Sequence, residues 1–177
     1  MASLYENGIN GILADDMGMG KTIQSISILA YIWETLKIKN EPHLIVGPKS
    51  TISNWLKEFK VWAPFFRVVN LIPTKEFRED ILRNKMKPGY FDVCVTTYDA
   101  LRICSTDLKK YNFHYIIFDE AHKLKNSDSM ISQVSRELKS RTRLLLTGTP
   151  LQNDIGELWS LLNFLMPTLF ESKDDFE

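Results

Sequence analysis

Two short strings in this 177-residue chain carry the residue types best suited to chemistry, Gly18-Met19-Gly20-Lys21-Thr22 and, far downstream, Asp119-Glu120-Ala121-His122. The first has the makings of a phosphate-binding loop. Gly18 and Gly20 let the backbone approach phosphate with no Cβ in the way. Lys21 supplies a positive charge for the β- and γ-phosphates, and the Thr22 hydroxyl a ligand for Mg²⁺. The second string is a paired acid at the end of an apolar run. Asp119 would hold Mg²⁺, directly or through water, while Glu120 would orient and deprotonate an attacking water. Each string alone has a plain reading, a helix start with a solvated lysine or a solvated acidic turn. Together they specify a Mg²⁺-dependent nucleoside triphosphate site with Lys21, Asp119 and Glu120 as its catalytic set. One departure matters: the strict loop has a glycine five residues before Gly20, where this chain has Asp15. That points toward helicase-like variants of the loop.

Three further segments are secondary candidates. Leu145-Leu146-Thr147-Gly148-Thr149-Pro150 is a strand running into a polar turn. Thr147 and Thr149 could bond to the Asp119–His122 segment and sense the γ-phosphate, although a plain strand-to-turn exit competes with that reading. Gly47-Pro48-Lys49-Ser50 and Thr96-Thr97-Tyr98 present hydroxyls, backbone N–H groups and one lysine, which are groups that grip phosphodiester backbones without reading bases. Such loops are commonplace. Lys123, Lys125 and Asn126 add local charge beside the acids, as any solvated helix start does. His122 is read as a coupling residue that hydrogen-bonds a neighbouring motif. It is not spaced with another histidine as a zinc pair, and His43 and His114 read as strand-edge residues.

Positioning these groups requires alternating strands and helices. Strands are predicted over Gly11–Ala14, His43–Val46, Arg67–Ile72, Val93–Thr97, Tyr115–Phe118 and Arg143–Leu146. Helices are predicted over Thr22–Leu36, Thr51–Trp62, Lys75–Met86, Ser129–Leu138 and Ile155–Leu165. Continuous apolar strands such as Tyr115-Ile116-Ile117-Phe118 are buried on both faces. The alternation predicts βαβ units, hence an α/β fold with a mostly parallel sheet and helices on both sides. Both chemical strings then fall where strands end, the edge at which open α/β sheets bind ligands.

Composition adds limits. The length fits one domain with a real core. With 22 basic and 22 acidic residues the net charge is zero, so any DNA contact must come from a local patch. Cys94, in an apolar run, reads as a buried structural thiol. Two cysteines without a disulfide framework fit a reducing compartment. The N-terminus lacks the blocks of a signal peptide. The most apolar helix, Ile23 to Leu36, is interrupted by Gln24, Ser25, Ser27 and Glu34, so no membrane contact is expected.

In order, these segments resemble the motifs of the Swi/Snf-type ATPases within the superfamily-two helicases. The resemblance rests on Asp15-Asp16-Met17-Gly18-Met19-Gly20-Lys21-Thr22, Val46-Gly47-Pro48-Lys49-Ser50, Val95-Thr96-Thr97-Tyr98, Asp119 to Asn126, and Leu146-Thr147-Gly148-Thr149-Pro150-Leu151-Gln152-Asn153. It covers nearly the whole chain. The wording around Gly47 to Thr51 and Asn54-Trp55 is similar to the imitation-switch chromatin remodellers. Asp16 stands where the family usually has glutamate, and Met19 where it usually has leucine.

The resemblance implies a RecA-like P-loop fold over 1–177 and Mg-ATP bound by Asp15 to Thr22, with Thr22 and Asp119 on the metal. It implies coupling through His122, Thr147, Gly148 and Thr149. It also implies double-stranded DNA gripped on its backbone by Lys49, Ser50, Thr96 and Thr97 during nucleosome sliding in the nucleus, with accessory remodeller subunits. It further implies a second RecA-like lobe in cis carrying an arginine finger, and an adenine-recognising motif upstream of Leu4. A single lobe is then expected to bind nucleotide weakly, to hydrolyse it barely, and to expose apolar surface near Trp159, Leu162, Phe164 and Leu165. Two other readings stay open: the lobe of a DEAH-type helicase or repair translocase, and a catalytically silent binding platform.

Overall fold

The computed structural model describes residues 1–16, 20–38, 40–72, 74–148 and 155–172. Among them run six strands: β1 (Gly11–Ala14), β2 (His43–Gly47), β3 (Val68–Leu71), β4 (Val93–Thr97), β5 (Asn112–Phe118) and β6 (Lys139–Thr147). They form one sheet in the order β1-β6-β5-β2-β4-β3, and every pairing is parallel. Because all strands point one way, their C-terminal ends share one edge. Asp15, Pro48, Tyr98, Asp119 and Gly148 all leave the sheet there.

The main helices are α2 (Lys21–Glu34), α3 (Lys49–Trp62), α7 (Met130–Glu137) and α8 (Ile155–Leu165), with short ones at α1 (Ala2–Glu6), α4 (Lys75–Asp80), α5 (Tyr98–Ile103) and α6 (Ser105–Leu108). Strand residues alternate between two cores, as the pleat dictates. Ile45, Val93, Val95, Ile117, Leu144 and Leu146 pack with Ile26, Leu29 and Ile32 of α2 and with Trp55 and Phe59 of α3. Leu44, Val46, Cys94, Ile116, Phe118 and Leu145 pack on the other face with Leu101, Leu124, Leu161 and Phe164. The expected helices on both faces are therefore present.

Several boundaries differ from the sequence expectation. The segment expected as one helix over Lys75–Met86 is α4 followed by a π-helical turn at Ile81–Lys85, closed by Met86 N–H donating to the Ile81 carbonyl at 2.9 Å. Ile81 and Met86 are both buried. Five residues apart, they face the same way in a π turn but not in an α-helix. Four short helical pieces, α1, α5, α6 and a 3₁₀ turn at Ala121–Leu124, had no periodic signal.

The exposed apolar surface expected on α8 is corrected. Phe164 and Leu165 are buried. Phe164 meets Phe118 edge to face at 5.4 Å and lies under the Arg136 and Arg143 guanidiniums at 5.1 and 5.5 Å. Trp159 and Leu162 are half-buried. His43 and His114 are likewise not rim residues: both are buried in the sheet. Cys94 and Cys104 are buried free thiols, and burial pushes the pKa of each up.

Candidate functional site

The site starts at the end of β1. The chain leaves Ala14 through Asp15 and Asp16; Met17, Gly18 and Met19 lie outside the described residues. Gly20 then precedes α2 with φ at 81°, a left-handed conformation that favours glycine. No side chain caps α2, so its first N–H groups remain available to an anion. Lys21 Nζ donates to the Asp15 carbonyl at 2.6 Å and the Asp16 carbonyl at 3.0 Å. The ammonium is thus folded onto its own loop.

Asp119 leaves β5 on the same edge, its N–H still donating to the Val46 carbonyl at 2.7 Å. Its side chain is pinned at both oxygens. Oδ1 accepts from the Glu120 N–H at 2.9 Å and Oδ2 from the Trp55 indole N–H at 2.9 Å. Its backbone carbonyl accepts from the Tyr98 hydroxyl at 2.7 Å. Burial, then the charges of Asp119 and Glu120, hold the Tyr98 phenol well above its ordinary pKa, so it remains a donor. Glu120 has φ at 51°, a conformation that costs a non-glycine residue about 1–3 kcal/mol and clusters at functional sites.

These groups meet. A cavity of about 390 Å³ is lined by Gly20, Lys21, Thr22 and Ile23 of the loop and α2, by Thr51, Asn54 and Glu58 of α3, and by Asp119 and Glu120. The donor set facing it fits a hard divalent cation. The Thr22 hydroxyl and the Asp119 carboxylate are oxygen ligands of the kind Mg²⁺ takes beside phosphate, and Lys21 supplies the charge that a polyphosphate requires. The N-terminal end of α2 adds its backbone N–H groups.

The remaining sequence-predicted residues divide. Thr147 ends β6 between β1 and β5, is fully buried, and its carbonyl accepts from Asp15 N–H at 3.3 Å, so that strand is joined to the phosphate loop. Gly148 follows it, half-buried, and Thr149 lies outside the described residues. His122 Nδ1 lies 3.3 Å from Glu120 Oε2, close to the acid pair but outside hydrogen-bonding geometry. Lys49 and Ser50 are exposed at the first turn of α3. Thr96 is fully buried with its hydroxyl donating to the Leu71 carbonyl at 2.7 Å. Thr97 caps α5, its Oγ1 accepting from Ala100 N–H at 3.0 Å.

Sequence reasoning missed the α3 wall and the two aromatic donors on Asp119. Thr51, Asn54 and Glu58 are spaced i, i+3, i+7, one face of a helix. That polar face was legible, but a polar face ordinarily meets solvent.

Residues 1–177 match the family model described as an SNF2-related domain. A mouse protein named SWI/SNF-related matrix-associated actin-dependent regulator of chromatin subfamily A member 1 is 50% identical over all of this chain, which covers 17% of that protein. A Saccharomyces cerevisiae ISWI chromatin-remodeling complex ATPase is 49% identical over all of the chain, covering 16% of that protein. The solved Sulfolobus solfataricus SWI2/SNF2 ATPase core in complex with dsDNA superimposes with a TM-score of 0.85 at 36% identity, covering 99% of this chain and 35% of that one. The chain therefore spans about a sixth of the length of the curated relatives it matches.

Proposed function

The chain belongs to the SNF2-related domain family, and from that premise we propose that it is the ATP-binding lobe of a DNA-dependent ATPase that translocates on double-stranded DNA and remodels nucleosomes. Residues 1–177 are read as the N-terminal RecA-like lobe. One observation carries the reading: Lys21, Thr22, Asp119 and Glu120 line a single cavity at the C-terminal edge of a parallel sheet.

Each residue then has a defined task. Lys21 exchanges the Asp15 and Asp16 carbonyls for β- and γ-phosphate oxygens. Thr22 and Asp119 would hold Mg²⁺. The chemistry the metal supplies when bound is neutralisation of charge developing on the transferred phosphoryl group. Glu120, on the cavity wall, orients a water toward the γ-phosphorus and accepts its proton as the bond to ADP breaks. Thr147 and Gly148, joined to the loop through Asp15, are read as the residues that register whether the γ-phosphate is present.

Lys49 and Ser50, exposed at the start of α3, are read as DNA-backbone contacts. At the β4 end the contact falls to the main chain around Thr97, because the Thr96 hydroxyl is committed inward. The complex of the Sulfolobus relative with dsDNA supports double-stranded DNA as the partner. A second RecA-like lobe in cis would supply an arginine worth roughly 10³–10⁵ in rate, about 4–7 kcal/mol of barrier. This chain alone accordingly binds Mg-ATP weakly and turns it over barely. The names of the relatives support a nuclear setting with nucleosomes and remodelling-complex subunits as partners.

Hydrolysis and strand displacement by the full-length protein test this. DNA-stimulated hydrolysis without strand separation is expected. Strand separation would move the assignment to a helicase, and nucleotide binding without hydrolysis at any DNA concentration would move it to a binding platform.

A further inference from the structure

Asp119 is tied to both loops that face DNA in the proposed function. On one side, α3 begins with the exposed Lys49 and Ser50. One and a half turns on, it sends the fully buried Trp55 indole onto Asp119 Oδ2 at 2.9 Å. On the other, β4 ends at Thr97, and the next residue, Tyr98, is buried with its hydroxyl on the Asp119 carbonyl at 2.7 Å. Exposed polar residues precede the aromatic donor only on α3, since Thr96 and Thr97 are buried; what the two strand-end segments share is an aromatic donor turned inward onto one target.

The target is not incidental to the fold. A buried indole N–H needs an acceptor, and backbone carbonyls serve that purpose in most cores. Here it is given a charged carboxylate at the mouth of the nucleotide cavity, where the hydrogen bond is about twice as strong as a neutral one. With Oδ1 held by Glu120 N–H and Oδ2 by Trp55, the carboxylate is fixed in one orientation on the cavity wall. There is no slack between the elements. A Cβ on Gly47 would lie 3.0 Å from Thr51 Oγ1 and 3.3 Å from Asp119 Cβ, so α3, the end of β2 and Asp119 are in contact. The same α3 supplies Thr51, Asn54 and Glu58 to the cavity wall. A shift of α3 by a ligand at its first turn moves Trp55, and with it the Asp119 carboxylate that Trp55 holds.

We propose that Trp55 and Tyr98 are positioning residues that orient Asp119 for Mg²⁺ and carry DNA engagement at α3 and at the end of β4 to the metal site. This rests on the ATP-binding reading above. Outer partners of metal ligands typically change metal affinity 10- to 100-fold when removed, and that is the scale the account requires.

The test is a titration of the chain with a fluorescent ADP analogue, with Mg²⁺ present or chelated, and with or without a short DNA duplex. Trp55→Phe keeps an aromatic ring and removes the N–H; Tyr98→Phe removes one oxygen and leaves no cavity. In Trp55→Phe, the tightening produced by Mg²⁺ should shrink about tenfold, while affinity in chelator stays that of the unaltered chain. Any further tightening by DNA should be lost. Tyr98→Phe should show the same pattern, smaller in size, and stands in should Trp55→Phe fail to fold. Lower melting temperatures with undiminished Mg²⁺ and DNA effects in both variants would overturn the proposal, leaving two ordinary core aromatics. So would an unaltered chain whose Mg-nucleotide affinity ignores DNA. An unaltered chain that binds no Mg-nucleotide overturns the functional reading itself, and this inference with it.

Discussion

Gly47→Ala adds one methyl group at the tightest point of the site. Gly47 ends β2, and its immediate neighbours are Thr51 on α3 and Asp119 just past β5. The new carbon would sit 3.0 Å from Thr51 Oγ1 and 3.3 Å from Asp119 Cβ, against an optimum of about 3.5–4.0 Å. Relief by a few tenths of an ångström on each side is not free. β2 and β5 are held in register by Leu44↔Ile116, Ile45↔Ile117 and Val46↔Phe118, while α3 is held by Ile52, Trp55 and Phe59 in the core. Overpacking of this kind costs about 1–3 kcal/mol, or roughly 2–12 °C in melting temperature for a chain of this size. The loss of nucleotide affinity should exceed what stability alone explains, because both displaced groups line the cavity. Thermal melts and nucleotide titrations of Gly47→Ala and Gly8→Ala measure the difference. Gly8 has φ at 67° and open space around it, so its substitution strains the backbone without touching the site. A Gly47→Ala variant that melts and binds like the unaltered chain would refute the claim that these elements are in rigid contact.

Acid sensitivity should appear near neutral pH. His43 is buried with neither ring nitrogen hydrogen-bonded, and burial, then the nearby His114, lowers its pKa to about 3. The unfolded chain takes up this proton near pH 6.5 and the folded chain does not, so stability is full above that value and falls as pH drops toward 3. By pH 5 the loss is about 2 kcal/mol. Urea denaturation at pH 7 and pH 5 should show it, and His43→Phe should remove that part of the pH dependence. An unchanged slope in the variant would contradict the assignment. Lys49→Ala should weaken duplex DNA binding uniformly across sequences and reduce the salt slope by about one. No change in that slope would remove Lys49 from the DNA surface.

Much of the fold was legible because parallel strands are apolar throughout. Gly11–Ala14 and Val93–Thr97 have the bounds the apolar runs suggested. β6 begins four residues earlier than expected, at Lys139-Ser140-Arg141-Thr142, a polar start that pairs with β5 but carries no apolar signal. The helical character of Tyr98–Ile103 was hidden by length, although Thr97 as an N-cap was a usable clue. The chemical centre was legible too: Lys21, Thr22, Asp119 and Glu120 meet in one cavity. Its support was not. Trp55 sits in an amphipathic helix where any core aromatic would sit, and a single sequence does not say which acceptor a buried indole finds. Thr96 illustrates the converse, a hydroxyl that looks available in sequence and is turned inward by the pleat.

The central claim is that Lys21 and the acids that follow β5 form a working Mg-nucleotide site, and the most direct measurement is the melting temperature of this chain titrated with Mg-ADP. Saturable stabilisation is expected, worth about 1.4 kcal/mol at ten times the dissociation constant and so a rise of a few degrees. It should vanish in Lys21→Ala and shrink when Mg²⁺ is chelated. Stabilisation of equal size in Lys21→Ala, or none at millimolar Mg-ADP, would contradict the account.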